Sequence, residues 1–170
     1  QADMITYGMG EKPTIALCQL LTDALEESHP DLAYDENGNS FITRSTFHQV
    51  VQEQHEVPQT VSLYRKNDIP GGIRKDDIML HSYEECMREP RLHADNFRHV
   101  EEESNKLRAQ RLLQQTGQQW VVVNPPFPPL TQEELDHSFD LPYTRLPHPK
   151  YKGKRIPAYE MIKFSVCMHR

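Results

Sequence analysis

Residues 121–130 read Val-Val-Val-Asn-Pro-Pro-Phe-Pro-Pro-Leu, and this stretch decides how the rest of the chain is interpreted. Three consecutive β-branched residues favour a buried β-strand. The prolines that follow lack a backbone donor and have a fixed φ, so the strand must end there and a rigid, extended connector should begin. The stretch therefore predicts a boundary between a folded body before it and a less regular region after it.

The region after the connector predicts one short helix and one extended strap. Thr131-Gln132-Glu133-Glu134 has the form of a capping box, in which threonine and glutamate side chains bond free backbone N–H groups at a helix start. Asp140-Leu141-Pro142 should end this helix, because proline disfavours the helical conformation in the residue before it. Residues 141–151 are too rich in proline for a central strand, and we expect them to lie extended over a surface.

The beginning of the chain predicts an α/β unit. A short strand at residues 2–7 should lead through a glycine loop into an amphipathic helix that closes near His29-Pro30. Gly8, Gly10 and Glu11 are candidate ligand-binding residues, because glycines let a ligand approach the backbone and a helix N-terminus favours an anion. The alternative is that the glycines only make the turn, and two glycines without a third favour this second interpretation.

Several short elements are expected between this unit and residue 121. Asn37-Gly38 indicates a hairpin between residues 32–34 and 41–43. The other expected elements are a short helix at 45–55, strands at 58–64 and 77–80, and a helix capped by Ser82 with Glu85.

The longest predicted helix covers residues 91–116, with Phe97, Val100 and Leu107 on one stripe and Gly117 placed to stop it. Acidic residues precede basic ones along this segment, so Glu102 is expected to pair with Lys106 one turn later. We interpret the charged residues as a solvated helix face, and a partner-binding helix is the alternative. Helix followed by strand would repeat the α/β alternation.

Length and composition limit the possible classes of protein. A chain of 170 residues suits one domain, or one domain with an extension. Hydrophobic content of 36% and thirteen prolines predict extensive irregular structure. No apolar run approaches the length of a membrane span and no signal peptide is visible, so a cytoplasmic location without a membrane partner is expected.

Metal and redox chemistry find little support within the chain. Cys18, Cys86 and Cys167 are widely spaced and odd in number, which argues against a disulfide framework. Cys167 stands alone in an apolar run, so a buried structural thiol is favoured over an iron–sulfur ligand. None of the nine histidines has the spacing of a metal site, and His93 and His99 do not share a helix face. We therefore expect no metal site and no catalytic residue within these 170 residues.

Charge is distributed unevenly along the chain. Residues 145–170 carry seven Lys or Arg and one acid, a net charge of +6, whereas the remaining 144 residues carry −12. Lys150, Lys152, Lys154 and Arg155 form a candidate basic patch that could bind structured RNA, with Tyr151 and Tyr159 as stacking surfaces. The alternative is that the basic segment docks against the acidic body or the next domain, and the lack of an RNA-binding motif favours this alternative.

Five motifs occur in a fixed order near the end of the chain. They are Asn-Pro-Pro at 124–126, Pro-Leu-Thr-x-Glu-Glu at 129–134, Leu-Pro-Tyr-x-Arg at 141–145, Pro-His-Pro-x-Tyr at 147–151 and Arg-Ile-Pro-Ala-Tyr-Glu-Met-Ile-Lys-Phe-Ser-Val at 155–166. Together they closely resemble the segment just before the radical S-adenosylmethionine (radical SAM) core in the YgiQ-type family of large bacterial proteins. The resemblance is dense over residues 119–170 and looser at residues 80–84 and 7–13.

The resemblance implies that this chain is a piece of a larger enzyme. In such proteins a Cys-x3-Cys-x2-Cys motif begins just after the position of Arg170 and holds a [4Fe-4S] cluster, which binds S-adenosylmethionine and reduces it to a 5′-deoxyadenosyl radical. Residues 1–123 are then expected to be the C-terminal part of a Rossmann-like α/β domain, similar to flavodoxin and cobalamin domains. Residues 124–170 are expected to form the strap and first strand leading into the radical SAM barrel.

The resemblance also implies a role for this piece, whose partner would be the barrel of its own chain. It would cap one mouth of that barrel and help select the substrate, without catalysing a reaction by itself. Cobalamin is not implied, because the sequence contains no Asp-x-His-x-x-Gly ligand motif.

Overall fold

A computed structural model describes residues 4–26, 33–53 and 56–166. The chain separates into two compact units, Gln1–Pro129 and Leu130–Arg170. The predictions made for Ala2-Asp3, for His29-Pro30 and for Cys167 lie outside the described residues.

The first unit is built on a mixed β-sheet. Its described strands are β1 (Met4–Thr6), β2 (Ala33–Tyr34), β3 (Ser40–Phe41), β4 (Thr60–Arg65), β5 (Ile78–Leu80), β6 (Leu112–Thr116) and β7 (Gln119–Val123). Five of them form one sheet in the order β1-β4-β7-β6-β5, in which every neighbouring pair is antiparallel except β5 and β6. β2 and β3 form the separate hairpin that Asn37-Gly38 predicted.

Helices alternate with these strands. The α-helices among the described residues are α1 (Glu11–Glu26), α2 (Arg44–Phe47), α3 (Tyr83–Arg88), α4 (Pro90–Ser104), α5 (Gln132–Asp140) and α6 (Pro157–Ile162). A π-helical segment, His48–Glu53, continues α2, so the helix predicted at 45–55 is present over the described residues 44–53, with a wider second half. The mixed five-stranded sheet with its helices confirms the predicted α/β, Rossmann-like class.

Strand β7 occupies the middle of the sheet because residues 121–123 pair on both sides. Val122 lies opposite Ser62 of β4 and Leu113 of β6. Leu113 and Val122 are 0% and 1% exposed, and they pack with Tyr64 and Ile69 in one core cluster. The predicted buried strand at 121–123 is therefore confirmed, and it joins the two halves of the sheet.

A second core cluster lies between α1 and the π-helical segment. Its buried members are Ala24, Val50, Val51 and Val57, with Met4, Ala16, Leu17, Leu20, Leu21 and Phe47 packed around them. The amphipathic pattern of the first helix is thus used to bury one of its sides.

The prediction of one helix over residues 91–116 was wrong. α4 ends at Ser104, and Leu112–Thr116 forms β6. Gly117 does not stop a helix but occupies the first position of a two-residue hairpin loop between β6 and β7, where its φ of 57° suits a type II′ turn. Strand pairing with β5 and β7 outweighs the weak local helix preference of this segment.

The orientation of α4 also differs from the prediction. Asn96 and Glu103 are its buried residues, whereas Phe97 and Val100 are 60% and 40% exposed. The predicted ion pair between Glu102 and Lys106 is replaced by two others, since Glu102 pairs with Arg98 and Lys106 pairs with Glu103.

The described residues of the second unit form short elements without a buried core. Its helix α5 begins with the predicted capping box, in which Thr131 and Glu134 bond each other's backbone N–H groups. A 3₁₀ turn at Pro149–Tyr151 and α6 follow the extended residues 141–148. None of residues 130–166 is buried.

Candidate functional site

The predicted glycine loop is filled by a side chain of the protein itself. Gly8 has a φ of 67°, and a Cβ atom at this position would come within 3.3 Å of the Gln59 side-chain nitrogen. The Gln59 amide donates hydrogen bonds to the carbonyl oxygens of Tyr7, at 2.5 Å, and Met9. The positive φ and the close contact with Gln59 together account for glycine at position 8.

Gln59 is held in an uncommon backbone conformation, with a φ of 62°, by bonds to both flanking segments. Its backbone N–H donates to the Pro125 carbonyl at 2.8 Å, and its carbonyl accepts from the Tyr7 N–H at 3.2 Å. The loop after β1 and the start of the proline segment are therefore tied together through one residue.

Asn124 forms the other half of this connection. Its side-chain amide donates to the Val57 carbonyl and the Thr60 hydroxyl, both at 3.1 Å. The backbone carbonyl of Asn124 accepts a hydrogen bond from the Tyr7 hydroxyl at 2.5 Å. Asn124 is 5% exposed, so these bonds satisfy polar groups that water does not reach. We call Tyr7, Gln59, Thr60 and Asn124 the loop network.

Glu11 and Gly10 lie at the start of α1, beside the loop network. The Gly10 carbonyl accepts from the Thr14 N–H at 3.0 Å, as expected for the first turn of the helix. The Oε2 atom of Glu11 is buried and has no hydrogen-bond partner among the described residues. Binding of a ligand by Gly8, Gly10 and Glu11 stays a prediction.

A buried ion cluster connects the starts of β5 and β6. Arg111, 5% exposed, bonds both carboxylate oxygens of Asp77 at 2.9 and 2.7 Å, and it bonds Glu56 at 2.5 Å. Its remaining N–H groups donate to the carbonyls of Pro70 and Gly72. All five guanidinium donors are thus used within the protein.

Arg74 completes this ion cluster from the exposed side. Its side chain is 43% exposed and bonds Glu56 at 2.6 Å, while its backbone N–H donates to Asp77 at 2.7 Å. The cluster of Glu56, Arg74, Asp77 and Arg111 therefore fixes the loop between β4 and β5 against the segment that precedes β6.

The cluster lines a cavity of about 170 Å³. Its wall also includes Pro58, Asp76, Ala109, Gln110, Asn124 and Pro125. Because the Arg111 donors are already occupied, this geometry assigns a stabilising role to Arg111 rather than ligand binding.

The two charges at the centre of the cluster stabilise each other. Burial by itself would raise the pKa of Asp77, but hydrogen bonds from Arg111 and the Arg74 N–H outweigh this effect and hold the pKa below its ordinary value. The same contact with Asp77 raises the pKa of Arg111 despite its burial. Both groups are therefore charged at neutral pH.

The sequence interpretation missed the burial of Arg111, because it placed this residue on the solvated face of the long helix. Its partners lie 34 and 55 residues away along the chain. One signal was available in the sequence, because Asp77 and Arg111 each directly precede a short apolar run. In the structure the first residues of these runs, Ile78 and Leu112, are paired in the sheet.

The candidate basic patch lies entirely in the second unit. Lys150, Lys152, Lys154 and Arg155 are all exposed. The ammonium group of Lys150 lies 4.9 Å from the centre of the Tyr151 ring, within the range of a cation–π contact. The glycine-loop residues Gly8, Gly10 and Glu11 belong to the first unit.

The cysteine and histidine residues in the described part of the chain make local contacts. Cys18 is exposed, and the partly buried Cys86 accepts a hydrogen bond from the Asn96 amide at 3.1 Å. His81 bonds Asp95 at 3.1 Å. Over residues 4–26, 33–53 and 56–166, no group of three His, Cys, Asp or Glu residues is arranged to hold a metal ion.

Among the described residues, no helix is both long enough and apolar enough to cross a membrane.

Comparison with known proteins gives related sequences over nearly the whole chain. A family model described as "Radical SAM N-terminal" matches residues 1–165. A UPF0313 protein of Bacteroides thetaiotaomicron is 49% identical over 169 residues, covering 99% of this chain and 25% of that protein. A UPF0313 protein of Porphyromonas gingivalis is 43% identical over 169 residues, covering 99% and 23%.

A UPF0313 protein YgiQ of Salmonella typhimurium is 45% identical over 101 residues, covering 59% of this chain and 14% of that protein. No solved structure matches the chain. The chain spans about a quarter of the length of the first two relatives. On this evidence the chain belongs to the radical SAM N-terminal family, as the resemblance to YgiQ-type proteins predicted.

Proposed function

We propose that this chain is the N-terminal accessory part of a longer radical SAM enzyme, in which it covers one mouth of the catalytic barrel and helps to select the substrate. Membership of the radical SAM N-terminal family supports the first half of this proposal. The relatives, about four times as long as the matched segment, leave ample chain for a barrel. The accessory part does not catalyse the reaction alone.

The observation that carries the covering role is the surface of the second unit. Phe164, Met161 and Val166 are 88%, 83% and 83% exposed, and Leu146 and Ile162 are 68% and 61% exposed. No residue of 130–166 is buried. Apolar side chains concentrated in a unit without a core favour contact with another surface, because each gains about 1.5–3 kcal/mol when it is fully buried. The barrel of the same polypeptide is the partner that we propose for them.

The cofactors belong to the longer protein in this proposal. The family implies a [4Fe-4S] cluster and S-adenosylmethionine, but the described residues provide no convergent set of thiolates for a cluster. The ligands are therefore expected in a Cys-x3-Cys-x2-Cys motif of the longer protein.

Anaerobic iron–sulfur reconstitution tests this assignment. The 170-residue chain and the longer protein that contains it are treated in parallel, and cluster absorbance and cleavage of S-adenosylmethionine are measured. We expect both signals from the longer protein and neither from the short chain. Absence of a cluster in both proteins would contradict the proposal, and a cluster in the short chain would make Cys167 a ligand candidate again.

A second candidate function is binding of structured RNA. The net charge of +6 over residues 145–170 and the exposure of Lys150, Lys152, Lys154 and Arg155 favour it. A gel-shift titration across salt should then give binding that weakens steeply with salt and is lost when Lys152, Lys154 and Arg155 are replaced by alanine. A matched variant with three alanines at Lys66, Lys75 and Arg108, in the first unit, should keep its affinity. Salt-independent or negligible binding removes this candidate.

A further inference from the structure

The two faces of the five-stranded sheet are covered to different extents. Residues directly opposite each other on neighbouring strands share a face, so the register assigns each side chain to one of the two. Met4, Ser62 and Val122 share one face, and Met4 packs against the core cluster that contains α1 residues. This face is covered by the protein itself.

The opposite face carries a continuous apolar surface on β1, β4 and β7. Its members are Ile5 opposite Val61, Val61 opposite Val123, and Leu63 opposite Val121. Ile5 and Leu63 are 55% and 44% exposed, and the three valines are half-buried. We call Ile5, Val61, Leu63, Val121 and Val123 the open face.

The same side of the sheet is occupied at its other end. Leu112, opposite Val123, is 5% exposed. Gln114, opposite Val121, donates a hydrogen bond at 3.0 Å to the His81 carbonyl just before α3, and α3 contacts β6. Helical cover among the described residues therefore extends over β6 but leaves β1, β4 and β7 open.

We propose that the open face is the seat of an amphipathic helix from the part of the longer protein that lies outside these 170 residues. Helices cover the apolar faces of sheets in α/β domains, as α3 does at the β6 end of this face, and the open face has the apolar composition that such a helix requires. About three quarters of the length of the first two relatives lies outside the matched segment, so the occupant is available within one polypeptide. The inference rests on the proposed longer protein.

A second copy of this chain is a less suitable occupant. The first unit, residues 1–129, carries twelve Lys or Arg and twenty acids, a net charge of −8, so two first units would repel each other on approach. A helix of the same polypeptide binds without bringing two first units together, so this charge repulsion does not arise. Its covalent connection also gives it a high effective concentration at the open face.

Photo-cross-linking in the longer protein tests the inference. A benzophenone amino acid replaces Leu63, and the products are separated by size and mapped by mass spectrometry. We expect a cross-link within one polypeptide to a peptide outside residues 1–170. A product of dimer size, a cross-link to residues 130–166, or the absence of any cross-linked peptide would each overturn the inference.

Thiol labelling provides a second measurement that needs a smaller change. Leu63→Cys and Ile5→Cys in the longer protein should react with a maleimide at least about tenfold more slowly than Gln118→Cys, which lies in the exposed turn between β6 and β7. Equal rates at the three positions would overturn the inference. Cluster absorbance in the same preparations reports separately on the proposed enzyme, so failure of one proposal is distinguishable from failure of the other.

Discussion

The two units of this chain differ in how far their side chains are buried. In the first unit, Arg111 is 5% exposed yet finds a partner for every donor, and Leu113 and Val122 are fully enclosed. In the described part of the second unit, residues 130–166, no residue is buried, and Phe164 is 88% exposed. Residues before 130 therefore bury most of their own core and bond its polar groups, whereas residues 130–166 leave their apolar side chains exposed.

The largest loss of stability is expected when Arg111 is removed from the first unit. Arg111→Ala leaves Asp77 buried without its main partner, and we expect a loss of about 3–5 kcal/mol in the free energy of unfolding. Arg108→Ala, three residues earlier and exposed, should change it by less than about 0.5 kcal/mol. Urea unfolding followed by the fluorescence of Trp120, the single tryptophan, measures both. Equal stability of the two variants would show that the ion cluster is not structural.

Acid should remove part of the same stabilisation. Because the pKa of Asp77 is lower in the folded chain, the unfolded chain takes up a proton first as the pH falls. The contribution is therefore complete above the ordinary aspartate pKa of about 3.9, and it is lost as the pH falls through the lowered value. Urea midpoints measured between pH 7 and pH 3 should fall at the acid end.

The assignment to Asp77 is checked by substitution. Asp77→Asn should flatten this acid-induced loss, whereas Asp76→Asn, at the exposed neighbouring position, should leave it unchanged. The opposite result would assign the acid response to another carboxylate.

The loop network should give a smaller effect. Asn124→Ala leaves the Val57 carbonyl and Thr60 hydroxyl with one bond fewer, and about 1–3 kcal/mol of the free energy of unfolding should be lost. Tyr7→Phe removes a single bond to the Asn124 carbonyl and should cost about 0.5–1.5 kcal/mol. The same urea experiment ranks the two variants, and a Tyr7→Phe loss larger than that of Asn124→Ala would contradict the central position of Asn124.

The smallest effect is expected in the second unit. Phe164→Ser should change the stability of the 170-residue chain by less than about 0.5 kcal/mol, since little of the ring is buried. In the longer protein the same change should lower the Tm, while Lys154→Ser at an exposed basic position should not. An unchanged Tm in the longer protein would remove Phe164 from the proposed contact with the barrel.

Local signals in the sequence predicted the elements that depend on neighbouring residues. The Thr131–Glu134 capping box, the Ser82–Glu85 capping box and the hairpin at Asn37-Gly38 are all present. Each of these signals involves residues only a few positions apart, so all the interacting residues can be recognised in one short stretch of sequence.

Elements that depend on distant partners were missed. β6 contains only two apolar residues, Leu112 and Leu113, and it is a strand because β5 and β7 pair with it. Because β6 was predicted as part of a helix, Arg111 was assigned to the surface of that helix and the ion cluster was not predicted. Gln59 likewise gave no local signal, since its role depends on the Tyr7 and Met9 carbonyls fifty residues earlier.

The central position of β7 has a consequence for folding during synthesis. β1 and β4 precede it by more than fifty residues, and neither of them pairs with β5 or β6. Domains emerge from the ribosome with their N-terminal residues first, and contacts distant in sequence form late. The sheet therefore remains in two separate pieces until residues 119–123 have been translated, and a stall before the codon of residue 119 would leave two unpaired strand edges exposed to chaperones.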